Sequence, residues 1–242
     1  MDNYLAIRQP EKGLVLATLN RPEAYNALNL EFCEALYTFF EDVPNDTKLI
    51  VLEGSGKGFC AGLDLKMDLS SIREQGEATV NAYFNRMVLA MRRCPVPIMA
   101  ILHGHAAGAG AALALAADLV YMHTDGKLLL PFAKLGLSPD TGASYWLNKI
   151  GGSKKAFEWL ASGKAVSALE AEQHGLINGV FEKEEDKIVI LQQWLSILSA
   201  YPKGSIESLK RLLNLGDEGL EQQLQAEARE QAARVKTGAT KK

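Results

Sequence analysis

Ile98-Met99-Ala100-Ile101-Leu102-His103-Gly104-His105-Ala106-Ala107-Gly108-Ala109-Gly110 is the stretch on which the fold turns. Its first five residues are apolar without a break and read as a strand. They enter a glycine- and alanine-rich run, Gly104–Ala117, which reads as a tight turn opening a buried helix near Ala109. Free N–H groups at a helix N-terminus attract negative charge, and small side chains let a ligand approach the backbone. Close packing of a core helix accounts for the same residues equally well. The run has no Lys-Ser/Thr after its glycines, as a P-loop requires, and lacks the third glycine of a dinucleotide fingerprint.

Upstream, Leu49–Leu52 reads as a buried strand that runs into a flexible glycine loop, Gly54–Gly58. The segment Gly56-Lys57-Gly58-Phe59-Cys60-Ala61-Gly62-Leu63-Asp64-Leu65 then turns sharply on its glycines. Such a turn can present main-chain N–H groups, although glycine loops after strands are common. Taken together, the two segments suggest that amides from separate turns converge on one oxygen. A thioester oxygen gains charge when a proton leaves the adjacent carbon. Losing one preorganised donor to such an oxyanion costs about 3 kcal/mol of barrier.

The rest of the chain frames these segments. Tyr4–Gln9 and Leu14–Leu19 read as a hairpin around Pro10-Glu11-Lys12-Gly13. A helix follows from Asn29, its possible cap, with Phe32, Leu36, Phe39 and Phe40 at helical spacing. A longer helix over Glu77–Arg93 stops before Pro95 and Pro97. Leu119–His123 and Leu128–Pro131 read as strands around Thr124-Asp125-Gly126. This strand–strand–helix rhythm predicts an α/β protein with several parallel strands. After Gly142 the pattern is mostly helical: short helices near Lys154–Ala161 and Ala168–His174, then Asp186–Ser199, Ser205–Leu215 and Leu220–Val235, punctuated by Pro202 and Gly216. A core over 1–185 and a C-terminal helical region over 186–242 are expected. The charge run Glu182–Lys187 reads as a solvated loop. The last helix has a thin apolar stripe and is expected to pack on a neighbour or fray.

Composition excludes several classes. Among 242 residues, 48% are hydrophobic and 23% charged, enough for a real core, and the net charge of −3 gives no field for nucleic acid. Cys33, Cys60 and Cys94 match no zinc spacing and read as reduced thiols of a cytoplasmic protein. No metal cluster is expected. Ala106–Val120 is too short to span a membrane, the N-terminus does not resemble a signal peptide, and the final Lys-Lys is not a peroxisomal address. His103 and His105, beside the glycine turn, read as packing or capping residues. His123 and His174 have no partner in the sequence.

A third segment, Leu135-Gly136-Leu137-Ser138-Pro139-Asp140-Thr141-Gly142-Ala143-Ser144, places Asp140 just before a helix, where aspartate serves well as an N-cap.

At this point the chain resembles the crotonase (enoyl-CoA hydratase/isomerase) family. The matching words are Arg21-Pro22 with Asn26-Ala27-Leu28, then Gly58–Leu65, Gly104 with Ala106–Gly110 and Asp118, and Leu135-Gly136 with Pro139. The resemblance implies a crotonase (ClpP-like) spiral of repeated ββα units with a helical C-terminal region, assembled as a homotrimer or dimer of trimers. It implies that the N–H groups of Leu63 and Ala109 form an oxyanion hole. Ala24, Ala61, Gly62, Asp64, Leu65 and Lys66 would hold the coenzyme A portion of an acyl-CoA substrate, with Lys57 and Lys66 as possible phosphate contacts. No separate cofactor is expected.

The departures from the pattern are informative. The two glutamates of family hydratases would fall at Ala112 and Phe132, so ordinary hydration is not expected. A carboxylate at Asp140 resembles Δ3,Δ2-enoyl-CoA isomerases and epoxyphenylacetyl-CoA isomerases. It implies a double-bond shift with Asp140 as the single base. Asp140-Thr141 with Ser144-Tyr145 is similar to 4-chlorobenzoyl-CoA dehalogenases too, but their histidine on the helix before Pro97 is missing. A decarboxylase, or a non-catalytic acyl-CoA-binding or scaffold protein, are further readings. The family's terminal Phe-Leu-x-Lys-Arg word is not found, which implies altered subunit and adenine contacts.

Overall fold

The computed structural model describes residues 4–66, 76–202, 204–215 and 219–236. The hairpin forms as expected: β1 (Leu5–Glu11) lies antiparallel to β2 (Leu14–Leu19), with Gly13 turning at φ +86°. From β2 onward the large sheet is parallel. It continues through β3 (Leu49–Gly54), β4 (Ile98–Leu102), β6 (Leu119–His123) and β9 (Gly179–Phe181), in the order β1-β2-β3-β4-β6-β9. Sequence explains why β3 and β4 are interior strands. Leu49–Leu52 and Ile98–Leu102 are apolar without a break because both faces are covered. Ile50, Leu52, Ala100 and Leu102 face the main core, while Leu49, Val51, Met99 and Ile101 pack with Leu195 and Leu198 on the other side.

A second sheet is smaller, with the order β5-β7-β8: β5 (His105–Ala107), β7 (Lys127–Leu129) and β8 (Ala165–Ser167). The chain runs from β4 straight into β5, and from β6 into β7. Each turn of the spiral thus adds a strand to both sheets, which gives physical content to the strand–strand–helix rhythm. The preceding turn does the same through an isolated bridge, Cys60 to Ala106.

The helices are α1 (Leu30–Glu41), α2 (Arg86–Arg93), α3 (Ala109–Leu115), α4 (Ala143–Ser162), α5 (Ala168–Gln173), α6 (Glu184–Ala200), α7 (Ser205–Leu215) and α8 (Leu220–Lys236). Asn29 caps α1, accepting from Phe32 N–H at 2.9 Å. Val80–Asn85, within the helix expected over Glu77–Arg93, is π-helical. No helix among the described residues is long and apolar enough to cross a membrane.

Several expectations need correction. The short helix near Lys154–Ala161 is the second half of α4, which bends at Gly152 (φ 76°, ψ 159°) and continues. The run Glu182–Lys187 is not a loop. Lys183 is the N-cap of α6, and the Asp186 carboxylate accepts from Lys183 N–H at 2.9 Å. Glu184, Glu185 and Asp186 sit where the helix dipole favours negative charge. The three-residue strands β5, β8 and β9 carry too little pattern to be read beforehand. Gly216, read as a helix break, lies outside the described residues.

The last helix packs on this chain's own core. Leu220, Leu224, Ala228, Ala232 and Val235 are buried, and the first three join the same apolar cluster as α4. Its stripe looks thin because Glu227 and Gln231 are buried within it.

Candidate active site

The glycine segments meet at main-chain distance. Ala107 N–H donates to the Cys60 carbonyl at 2.8 Å, and Phe59 N–H to the His105 carbonyl at 3.0 Å. Further along, Leu28 N–H donates to Gly62 O at 2.7 Å, and Asp64 N–H donates to Leu28 O at 2.9 Å. In a parallel ladder the residue between two such bonds turns its own N–H away from the partner strand. That residue is Leu63. Ala109 opens α3, whose first helical bond is Ala112 N–H to Gly108 O, so the Ala109 amide is one of the free donors of a helix start. Neither the Leu63 nor the Ala109 amide donates to another described residue. Glycine is required for this approach. A Cβ on Gly62, at φ +87°, would stand 2.5 Å from Ala107 O, and one on Gly110 would stand 2.5 Å from Cys60 O.

Asp140 arrives from a strained turn. Thr141 is buried at φ +59°, a region that disfavours β-branched residues, and Gly142 follows at φ +86°. Asp140 is 6% exposed. Its Oδ1 accepts from Thr141 Oγ1 at 3.1 Å and its Oδ2 from Gln231 Nε2 at 3.0 Å. The N-cap reading of its side chain fails, because Gly142 occupies the cap position. The carboxylate at that helix start is Glu227, which accepts from Gly142 N–H at 2.7 Å, Ser144 N–H at 2.9 Å and the Ser144 hydroxyl. Burial pushes the Asp140 carboxyl from 3.8 up to about 7. The Glu227 charge adds to this, while the bonds from Thr141 and Gln231 pull the other way. Glu227 is also raised by burial, against the pull of its bonds from Ser144 and Gly142.

Leu63, Gly108, Ala109, Phe132, Asp140 and Gln231 line one cavity of about 60 Å³. A buried carboxylate and the two residues whose amides donate to no other described residue therefore line one small space. A wider open groove, about 820 Å³ between β1 and α1, is lined by Tyr4, Leu30, Phe39 and Tyr83. It combines no such groups, so size is a poor guide to the site here.

A family model described as enoyl-CoA hydratase/isomerase matches residues 9–242. The chain belongs to the enoyl-CoA hydratase/isomerase family. It is similar to the 1,2-epoxyphenylacetyl-CoA isomerase of Escherichia coli (strain K12), with 33% identity over 84% of this chain and 79% of that protein. It is also similar to 4-chlorobenzoyl coenzyme A dehalogenase-1 of an Arthrobacter species, with 31% identity over 76% of this chain and 68% of that one. The enoyl-CoA hydratase of Bacillus halodurans has the same crotonase fold, with a TM-score of 0.89 at 28% identity, over 98% of this chain and 97% of that one. These proteins are named for three chemistries, so membership of the family leaves the reaction to the site.

Within this crotonase fold the other expected residues are placed as follows. Ala61 and Leu65 line the cavity with Leu63. Ala61 N–H donates to Tyr25 O at 2.9 Å, tying this loop to the turn that holds Ala24. The Asp64 carboxylate is 2.9 Å from the Arg21 guanidinium and accepts from Lys66 N–H at 2.9 Å, so it clasps the loop internally. Lys57 and Lys66 are exposed. His103 sits 3.1 Å from Gly56 O, a packing contact of the expected kind, and His105 is exposed. Ala112 and Phe132, the positions where the resemblance implies the hydratase glutamates, are buried. The sequence reading missed Thr141, Glu227 and Gln231. The available signal was a pair of polar residues four apart inside the apolar stripe of the last helix.

Proposed function

We propose that this chain shifts a carbon–carbon double bond in an acyl-CoA thioester, with Asp140 as the single acid–base group. Coenzyme A is part of the substrate in this reading, and no separate cofactor takes part. The Asp140 carboxylate removes a proton from the α-carbon of a 3-enoyl-CoA. Negative charge moves to the thioester oxygen, which accepts hydrogen bonds from the Leu63 and Ala109 amides. Asp140 then returns the proton at the γ-carbon, giving the 2-enoyl-CoA with no net gain or loss. One carboxyl suffices because it is alternately base and acid, and a value near 7 suits both roles.

The observation that carries this reading is the buried Asp140 in the cavity lined by Leu63 and Ala109. Ala112 and Phe132 cannot hold or activate a water, which weighs against hydration. The loop Ala61–Lys66 and the turn at Ala24 are the proposed coenzyme A contacts. We place the protein in the cytoplasm as a homotrimer or pair of trimers. Leu209, Leu212, Leu213 and Leu215 on α7, each more than half exposed, are apolar surface that such an assembly would cover.

The test is a panel of 3-enoyl-, 2-enoyl-, epoxy- and halo-aroyl-CoA thioesters, run on the wild type and on Asp140→Asn. Turnover of 3-enoyl-CoA that vanishes in Asp140→Asn, with coenzyme A binding retained, is the expected result. Unchanged turnover rejects the role of Asp140. Chloride release from the halo-aroyl thioester alone would make the carboxylate a nucleophile and reject the isomerase reading.

A further inference from the structure

The C-terminal helix reaches across the whole chain to touch the site. Gln231 is 2% exposed, and its amide bridges two points of one turn. Its Oε1 accepts from Ser138 N–H at 2.9 Å, and its Nε2 donates to Asp140 Oδ2 at 3.0 Å. The first bond settles the orientation of the amide. Reversing it would set Nε2 against the Ser138 N–H and Oε1 against the carboxylate, losing both bonds. One turn earlier on the same face, Glu227 holds the Gly142 and Ser144 amides beyond Asp140. The two side chains thus grip the Asp140 turn on both sides. Burying a glutamate and a glutamine in an otherwise apolar stripe is costly unless both are bonded, and here both are.

We infer that Gln231 is a positioning residue for the Asp140 carboxylate, so that the acid–base group is fully set only when the C-terminal helix is docked on the core. This inference rests on the proton-transfer reading above. With Oδ1 bonded to Thr141 and Oδ2 to Gln231, the carboxylate cannot rotate without losing a bond, and each oxygen keeps one lone pair for other partners. The titratable groups facing Asp140 are Glu227 from α8 and the buried Cys33 thiol from α1. Neither competes with Gln231 for Oδ2.

Gln231→Met keeps length and packing but removes both the donor to Asp140 and the acceptor of the Ser138 N–H. Gln231→Glu keeps an acceptor for Ser138 and turns a second oxygen on Asp140. Steady-state kinetics from pH 5 to 9 should show kcat falling about 10- to 100-fold in Gln231→Met, with KM changed less than about 3-fold. The pH midpoint of kcat should move upward in both variants, and further in Gln231→Glu. A purely structural role would lower the melting temperature and leave the midpoint in place, which overturns the inference. Asp140→Asn, measured alongside, separates two failures. If it keeps full activity, the proton-transfer reading and this inference both fall. If it is inactive while both Gln231 variants keep wild-type kcat and midpoint, this inference alone falls.

Discussion

The two halves of the site are made by different means. The amide half, Phe59–Asp64 against His105–Gly110, is almost all backbone: main-chain bonds, two extended turns of the spiral, and glycines where the chains nearly touch. The carboxylate half, Ser138–Ser144 against α8, is made of side chains. Gln231 and Glu227 bond residues some 80 to 90 positions away in the chain. A donor built from backbone cannot be lost by changing one side chain, but it fails if a Cβ separates the strands. A carboxylate held by side chains keeps its fold under substitution but loses its aim, and its proton affinity shifts in a direction set by the side chain removed.

Substitutions should therefore behave differently in the two halves. The largest effect expected is that of Asp140→Asn, with kcat down about 10³-fold and product-CoA affinity, measured by calorimetry, within a few-fold of wild type. Gly62→Ala should come next and act through geometry. Its Cβ would meet Ala107 O in a positive-φ residue, so kcat should fall about 10²-fold and stability by more than about 1 kcal/mol, read from turnover and urea unfolding. If Gly62→Ala is stable and fully active, the amide half is not as tightly set as described.

Glu227→Gln sharpens the contrast from the other side. One of the Gly142 and Ser144 donors loses its acceptor, at a cost of about 1–3 kcal/mol in stability. The activity midpoint should fall, because a negative charge beside Asp140 is gone. An upward shift would contradict the assigned electrostatics. In the wild type, kcat/KM should rise with pH through a midpoint near 7 as Asp140 ionises. Stability should run the opposite way. The folded-state value lies above the unfolded one, so the contribution of this group is full below about pH 4 and is lost as pH rises through about 7. The melting temperature of Asp140→Asn relative to wild type should accordingly climb between pH 5 and pH 8. The smallest effect serves as a control: Asn29→Ala removes the α1 cap, costing about 1 kcal/mol in unfolding measurements and leaving kcat unchanged.

The same division explains what could be read in advance. The helix start at Ala109 and the strands over Leu49–Leu52 and Ile98–Leu102 follow from local pattern, since glycine, alanine and uninterrupted apolar runs state their backbone needs directly. The meeting of Leu63, Ala109 and Asp140 in one cavity was an expectation of resemblance, not of pattern. Asp140 itself read locally as a cap, and the cap position belongs to Gly142. Glu182–Lys187 read as a loop because charge density masked a helix start. Gln231 and Glu227 were not singled out in the sequence, where the last helix showed only a thin apolar stripe.

Sequence alone determined the ββα rhythm, the glycine-rich turns and the helix start near Ala109, because each is a property of a residue and its immediate neighbours. The docking of the C-terminal helix, the orientation of Asp140 and the upward push on its carboxyl were decided only by tertiary structure. Burial and hydrogen bonding depend on which distant side chains arrive, and no local pattern encodes an approach across ninety residues.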